Sequence, residues 1–155
     1  MRSLTIIQAK PNPAGRDRTR LFIPPSQLSA EWVDFQNTGN EDYPMSDILL
    51  QHIAYKPGYP NGLWETVESF TGFLPVRKVV RVHSGGEIPL QQLAPIDATG
   101  TDYHIFTGEN YVWNNTRSDS PRLINKVTRT IVDETSYLPS PNEGYILRRQ
   151  GNYLI

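Results

Sequence analysis

Apolar and polar residues alternate with a period of two along several short stretches of this chain, and no stretch carries a sustained stripe at the 3.6-residue spacing of a helix. The alternating runs are LTIIQA (4–9), EWVDFQ (31–36), DILLQHIAY (47–55), VRKVVRVH (76–83), YHIFTG (103–108), PRLIN (121–125), RTIVDETSYL (129–138) and GYILRRQ (144–150). Eight such runs predict eight short strands in one domain, the pattern of a β-sandwich or barrel. Side chains alternate along a strand, so Val33 and Phe35 face one way and Trp32, Asp34 and Gln36 the other. Val33 and Phe35 are expected in the core, where burying Phe35 alone is worth roughly 1.5–3 kcal/mol. Trp32 then lies on the more polar face, either beneath a neighbouring loop or against a partner.

Thirteen prolines and eleven glycines punctuate the runs, which breaks long helices and favours strands joined by turns. Asn37-Thr38-Gly39-Asn40, Pro57-Gly58, Asn61-Gly62 and Ser84-Gly85-Gly86 have turn chemistry. Residues 10–29 and 84–102 are too long for hairpins, and connections of that length are commonly functional or loosely ordered. The segment from Pro139 to the end reads as an extension beyond the core, giving a domain over 1–138 and an extension over 139–155.

The 155-residue length suits one domain. With 37% hydrophobic residues, below the usual fraction of roughly 45–50%, a thin core under long surface loops is expected. A formal net charge of -1 supplies no global attraction to nucleic acid or acidic membranes. The absence of cysteine excludes disulfides, thiolate metal sites and a thiol nucleophile. The N-terminus lacks the apolar core of a signal peptide and no later segment approaches a membrane span. A cytoplasmic protein with no membrane association is therefore expected, with leaderless export or attachment to a larger particle left open.

Several short motifs occur in a suggestive order. EWVDFQNTGNEDYPMSDILLQ (31–51), VRVHSGG (80–86) and YVWNNTRSDSPRLINKVTRTIVDETSY (111–137) resemble the lamin tail domain family, in particular its bacterial members, over residues 29–138. The resemblance implies an all-β, immunoglobulin-like β-sandwich of lamin-tail type, here with long loops, whose core includes Val33, Phe35, Ile48, Trp113, Leu123 and Val132. It also implies an interaction module without catalytic machinery that binds proteins and sometimes DNA or surfaces. Two departures stand out: Ile48 replaces a tryptophan usual in the family, and IPLQQLAPIDATGTD enlarges what is usually a hairpin.

No catalytic constellation is legible. His52, His83 and His104 lie in separate predicted strands without ligand spacing, and G-x-S-x-G is missing. Carboxylates at Glu41-Asp42, Glu65/Glu68 and Asp133-Glu134 are read as solvated, and oxygen donors near Asn40 or Asp97 and Asp102 lack EF-hand spacing. No metal or cofactor is expected. Candidate partner-binding residues fall in three groups. Arg16, Arg18 and Arg20, with Arg148 and Arg149, make a basic patch if they converge. Tyr55, Tyr59 and Trp64 flank the stretch KPGYPNGLW, read as an exposed loop able to fill a partner's pocket or stack on a sugar. The apolar end, Tyr153, Leu154 and Ile155, has the character of a strand that adds to a sheet edge in its own domain or in a neighbour. These readings favour a protein partner or self-association. The alternative is a ligand-binding domain recognising carbohydrate or nucleic acid through the loop aromatics or the arginines.

Overall fold

The computed structural model describes residues 1–15 and 23–155. In chain order the elements are β1 (Leu4–Lys10), α1 (Pro25–Ser29), β2 (Trp32–Asn37), β3 (Tyr43–Pro44), β4 (Ile48–Lys56), β5 (Tyr59–Ser69), β6 (Phe73–Leu74), β7 (Val79–His83), α2 (Pro95–Ala98), β8 (Tyr103–Phe106), β9 (Arg122–Asn125), β10 (Thr130–Glu134), β11 (Leu147–Gln150) and β12 (Tyr153–Leu154). A six-stranded sheet runs β12-β11-β1-β2-β7-β8, a four-stranded sheet β10-β9-β4-β5, and β3 pairs with β6. The fold is all-β and sandwich-like. Each of the eight alternating runs contains a strand.

The core lies between the sheets. Leu4, Ile6, Val33, Phe35, Val80 and Val82 face inward from the larger sheet and meet Ile48, Leu50 and Leu123 of the smaller one, joined by Met45, Phe70, Leu74, Trp113 and Tyr137. Val132 is partly buried against this cluster. Phe35 meets Phe70 edge-on at 5.3 Å between ring centroids, the arrangement the ring quadrupoles favour.

A bulge between Ile6 and Gln8 of β1 resets the alternation, so that Ala9 returns to the core while Gln8 and Lys10 join the opposite face. The turn after β2 is held by the chain's start. Asn40 N–H donates to the Met1 carbonyl and Thr38 N–H to that of Ser3, both at 3.0 Å. A Cβ at Gly39 would come within 2.3 Å of the Met1 oxygen, so close backbone approach, rather than a left-handed conformation, calls for glycine there.

Three expectations are corrected. KPGYPNGLW is no loop: Pro57-Gly58 is the two-residue turn of the β4–β5 hairpin, with Lys56 opposite Tyr59 and Gly58 at φ 85°, which the second central position of a Pro-Gly turn requires. Residues 84–102 do not enlarge a hairpin. β7 and β8 are parallel, and parallel neighbours need a crossover of about a dozen or more residues. Finally, residues 139–155 do not lie beyond the core. β11 pairs antiparallel with β1, β12 pairs with β11, and Leu154 is buried in the core cluster.

Candidate functional site

The sequence pattern puts Trp32 and Asp34 on the outer face of the larger sheet, yet both are fully buried. The 84–102 crossover covers them, and Arg81 holds it down. The Arg81 guanidinium donates twice to the Asp34 carboxylate at 2.8 Å and also to the carbonyls of Ile96, Asp97 and Thr99 at 3.3, 3.0 and 2.7 Å. It lies 3.6 Å over the Trp32 ring. Trp32 Nε1 and Lys10 Nζ both donate to Asp97 Oδ1, at 2.9 and 2.6 Å. Burial pushes the Asp34 carboxyl up, and the Arg81 bonds oppose that shift. With every charge paired and dry, this network fixes the crossover; it presents no group to a ligand.

His83 and His104 meet on the same face, with His83 Nε2 2.8 Å from His104 Nδ1. The outer nitrogens reach the Ser29 carbonyl at 2.5 Å and the Ala98 carbonyl at 3.1 Å. The pair thus links the end of α1 to the end of α2. Burial lowers the His83 pKa to about 4 and also lowers that of His104.

A second buried polar cluster lies at one end of the sandwich interior. Asp119 accepts from the backbone N–H groups of Ile53, Asn114 and Ser120 and from the Asn114 side chain. It also accepts from His52 Nδ1 at 3.0 Å, which fixes that tautomer. Glu31 Oε1 accepts from Val112 N–H at 2.7 Å, Trp113 N–H at 3.3 Å and the Ser84 hydroxyl, whereas Glu31 Oε2 is buried without a partner. Burial raises the Glu31 pKa to about 8. Asp119 positions the imidazole and Glu31 positions the 112–113 backbone. Between these lies a cavity of about 470 Å³ lined by His52, Glu65, Thr66, Val67 and residues 109–112.

The sequence-predicted site residues do not converge. Arg16, Arg18 and Arg20 lie outside the described residues. Arg148 is exposed and donates to Gln8 Oε1 at 2.8 Å. Arg149 is a structural tie: it donates to the Ile6 carbonyl, to both Asp133 oxygens and to the Glu134 carbonyl. Tyr55 and Trp64 each carry a guanidinium on one ring face, Arg117 at 3.8 Å and Arg122 at 3.6 Å. Tyr59 is exposed. Of the tail residues, Leu154 is core, while Tyr153 and Ile155 are exposed and border an apolar groove of about 710 Å³ that also runs past Leu138, Pro139, Pro141 and Tyr145.

Sequence reasoning missed Glu31 and Asp119, and it read Asp34 only as part of a polar strand face and Asp97 only as an oxygen donor without EF-hand spacing. All four are acids in or beside apolar runs, and that is the available signal, because a buried carboxylate requires a partner. Among the described residues no group of three or more His, Asp or Glu side chains is arranged to hold a metal ion. Nor is any helix among them long and apolar enough to cross a membrane. No family model matches the chain, and no curated protein matches it.

Proposed function

We propose that the chain is an immunoglobulin-like sandwich of the lamin-tail type that works as a non-enzymatic interaction or assembly module, receiving an apolar segment of a protein partner in the groove beside its C-terminal tail. The groove carries this reading. Leu138, Tyr145 and Ile155 are 72%, 61% and 65% exposed and line one concave surface with Tyr153 and two prolines. Clustered exposed apolar side chains of this kind mark interaction surfaces, and tyrosine is among the residue types that dominate them. The lamin-tail assignment is supported by where the motif residues lie: Val33, Phe35, Trp113 and Leu123 all enter one core.

The test is site-specific photo-crosslinking in cells, with benzoylphenylalanine placed at Tyr145 or, as a control, at Tyr103, which is exposed on the opposite edge strand. Adducts at position 145 that disappear in Leu138→Asp, with none at position 103, are expected. Adducts that are equal at both positions, or unaffected by Leu138→Asp, overturn the reading. Light scattering of the purified protein separates the occupants, since a dimer dissociated by Leu138→Asp makes a second copy the partner.

A further inference from the structure

The cavity at His52 lies apart from the tail groove, and no part of the reading above uses it. Its geometry is that of a site prepared for a ligand. His52 is 9% exposed and its Nδ1 is committed to Asp119, which accepts from four further N–H groups. Nε2 has no hydrogen-bond partner among the described residues, yet it is not among their sealed, unpartnered polar atoms. His52 is one of the residues that line the cavity. In the neutral ring the Asp119 bond leaves Nε2 as an acceptor.

The rest of the lining shares that character. Glu65 and Glu109 both border the space. Glu65 already pairs with Lys56 at 2.7 Å, whereas Glu109, exposed at the rim, makes no ion pair among the described residues. The walls are rigid: the bonds from Val112 and Trp113 to Glu31 hold one side, and the β4–β5 pairing of His52 with Glu65 holds the other. A preformed cavity with an imidazole acceptor and a carboxylate that makes no ion pair among the described residues favours a ligand that brings donors and a positive charge.

We propose that this cavity binds an organic cation, an alkyl ammonium or guanidinium group, which donates to His52 Nε2 and to the Glu109 carboxylate while its alkyl stem lies along Val67 and Val112. The volume accommodates a lysine or arginine side chain as readily as a free amine.

The experiment follows the His52 ring resonances of the full chain by NMR during titration with N-acetyl-arginine methylamide, agmatine and, as an uncharged control, N-acetyl-norleucine methylamide. Saturable shifts with both cations and none with the control are expected, with affinity falling about tenfold in Glu109→Gln. Tighter binding of the peptide mimic than of agmatine identifies a partner's side chain as the source, and the reverse order a free amine. In His52→Asn the amide replaces Nδ1–H towards Asp119 and nothing replaces Nε2. This variant loses the edge contact with Trp113, so it is expected to melt cooperatively at a lower temperature while losing the ligand-induced shifts at Val67 and Val112. Binding of the norleucine compound equal to that of arginine, or unchanged affinity in Glu109→Gln, overturns the proposal.

Discussion

Glu31 shows what a single buried carboxyl does to the whole stability profile. Three donors converge on Oε1 and none on Oε2; these donors favour the carboxylate, but burial outweighs them and raises the pKa from 4.5 to about 8, so the folded protein prefers the neutral acid. A folded-state pKa above the unfolded value means the native state holds the proton more tightly. The resulting stabilisation is fully present below about pH 4.5 and is lost as pH rises through 8. His83 acts in the opposite sense. Its pKa falls from 6.5 to about 4 on burial, so its contribution is present above 6.5 and lost as pH drops through 4. The two oppose each other between about 4.5 and 6.5, and above that window Glu31 dominates. Urea unfolding should therefore show the wild type losing about 2 kcal/mol between pH 6 and pH 9, the Glu31 loss less the small remaining His83 gain. Glu31→Gln, which keeps an acceptor for Val112 and Trp113 but cannot ionise, should flatten that limb. An equally steep decline in the variant would assign the loss to another group.

At the scale of elements, the tail is tied down by Arg149, which reaches from β11 to the Ile6 carbonyl of β1 and to Asp133 and Glu134 of β10, and so joins the two sheets at one edge. Arg149→Met keeps the stem and removes every donor, leaving Asp133 with only its bond from Ile6 N–H. Losing charge-assisted bonds at a largely buried site costs about 2–3 kcal/mol. Amide exchange at Arg148 and Leu154 should accelerate before that of β4, and uniform acceleration would mean that the tail is not a separate unit. Arg149 was legible as a candidate but not as a tie, because its partners are 15 to 143 positions away. The same holds for the cavity: His52 and Asp119 are 67 residues apart, and only the β4–β9 pairing brings their segments together. β5 was hidden by its own composition. Pro57-Gly58 marks the hairpin turn, but Pro60, Asn61 and Gly62 extend the same turn signal into the strand, and bulges near Gln51 and Lys56 disrupt its register. Gly62 has φ 82° and a would-be Cβ 2.2 Å from Ile53, so both its backbone conformation and its close approach call for glycine inside the strand. The eight alternating runs were readable because each has one face in the core.

For the molecule as a whole, the question is whether residues 1–138 are a domain to which a tail is added or an incomplete one. Alternation and the family resemblance both favour the first view, because the matched motifs end at Tyr137. The strand pairings favour the second. β1 lies between β2 and β11, so removing the tail turns an interior strand into an unpaired edge. Leu154 leaves the core with it. β12 also bonds back to the segment after β10, with Leu154 N–H donating to the Ser136 carbonyl and Ser136 N–H to that of Asn152. The tail thereby bridges the larger sheet to the chain leaving the smaller one, closing the sandwich along that side. Deleting residues 139–155 removes these bonds, the Arg149 tie and a buried leucine together, and replacing such a leucine by alanine alone costs about 2–5 kcal/mol. A single domain has a total stability of only about 5–15 kcal/mol. The chain ending at Leu138 should therefore give no cooperative calorimetric transition and lose its near-ultraviolet aromatic signal. A truncated protein that melts sharply at the temperature of the full chain would restore the view that the tail is an appendage.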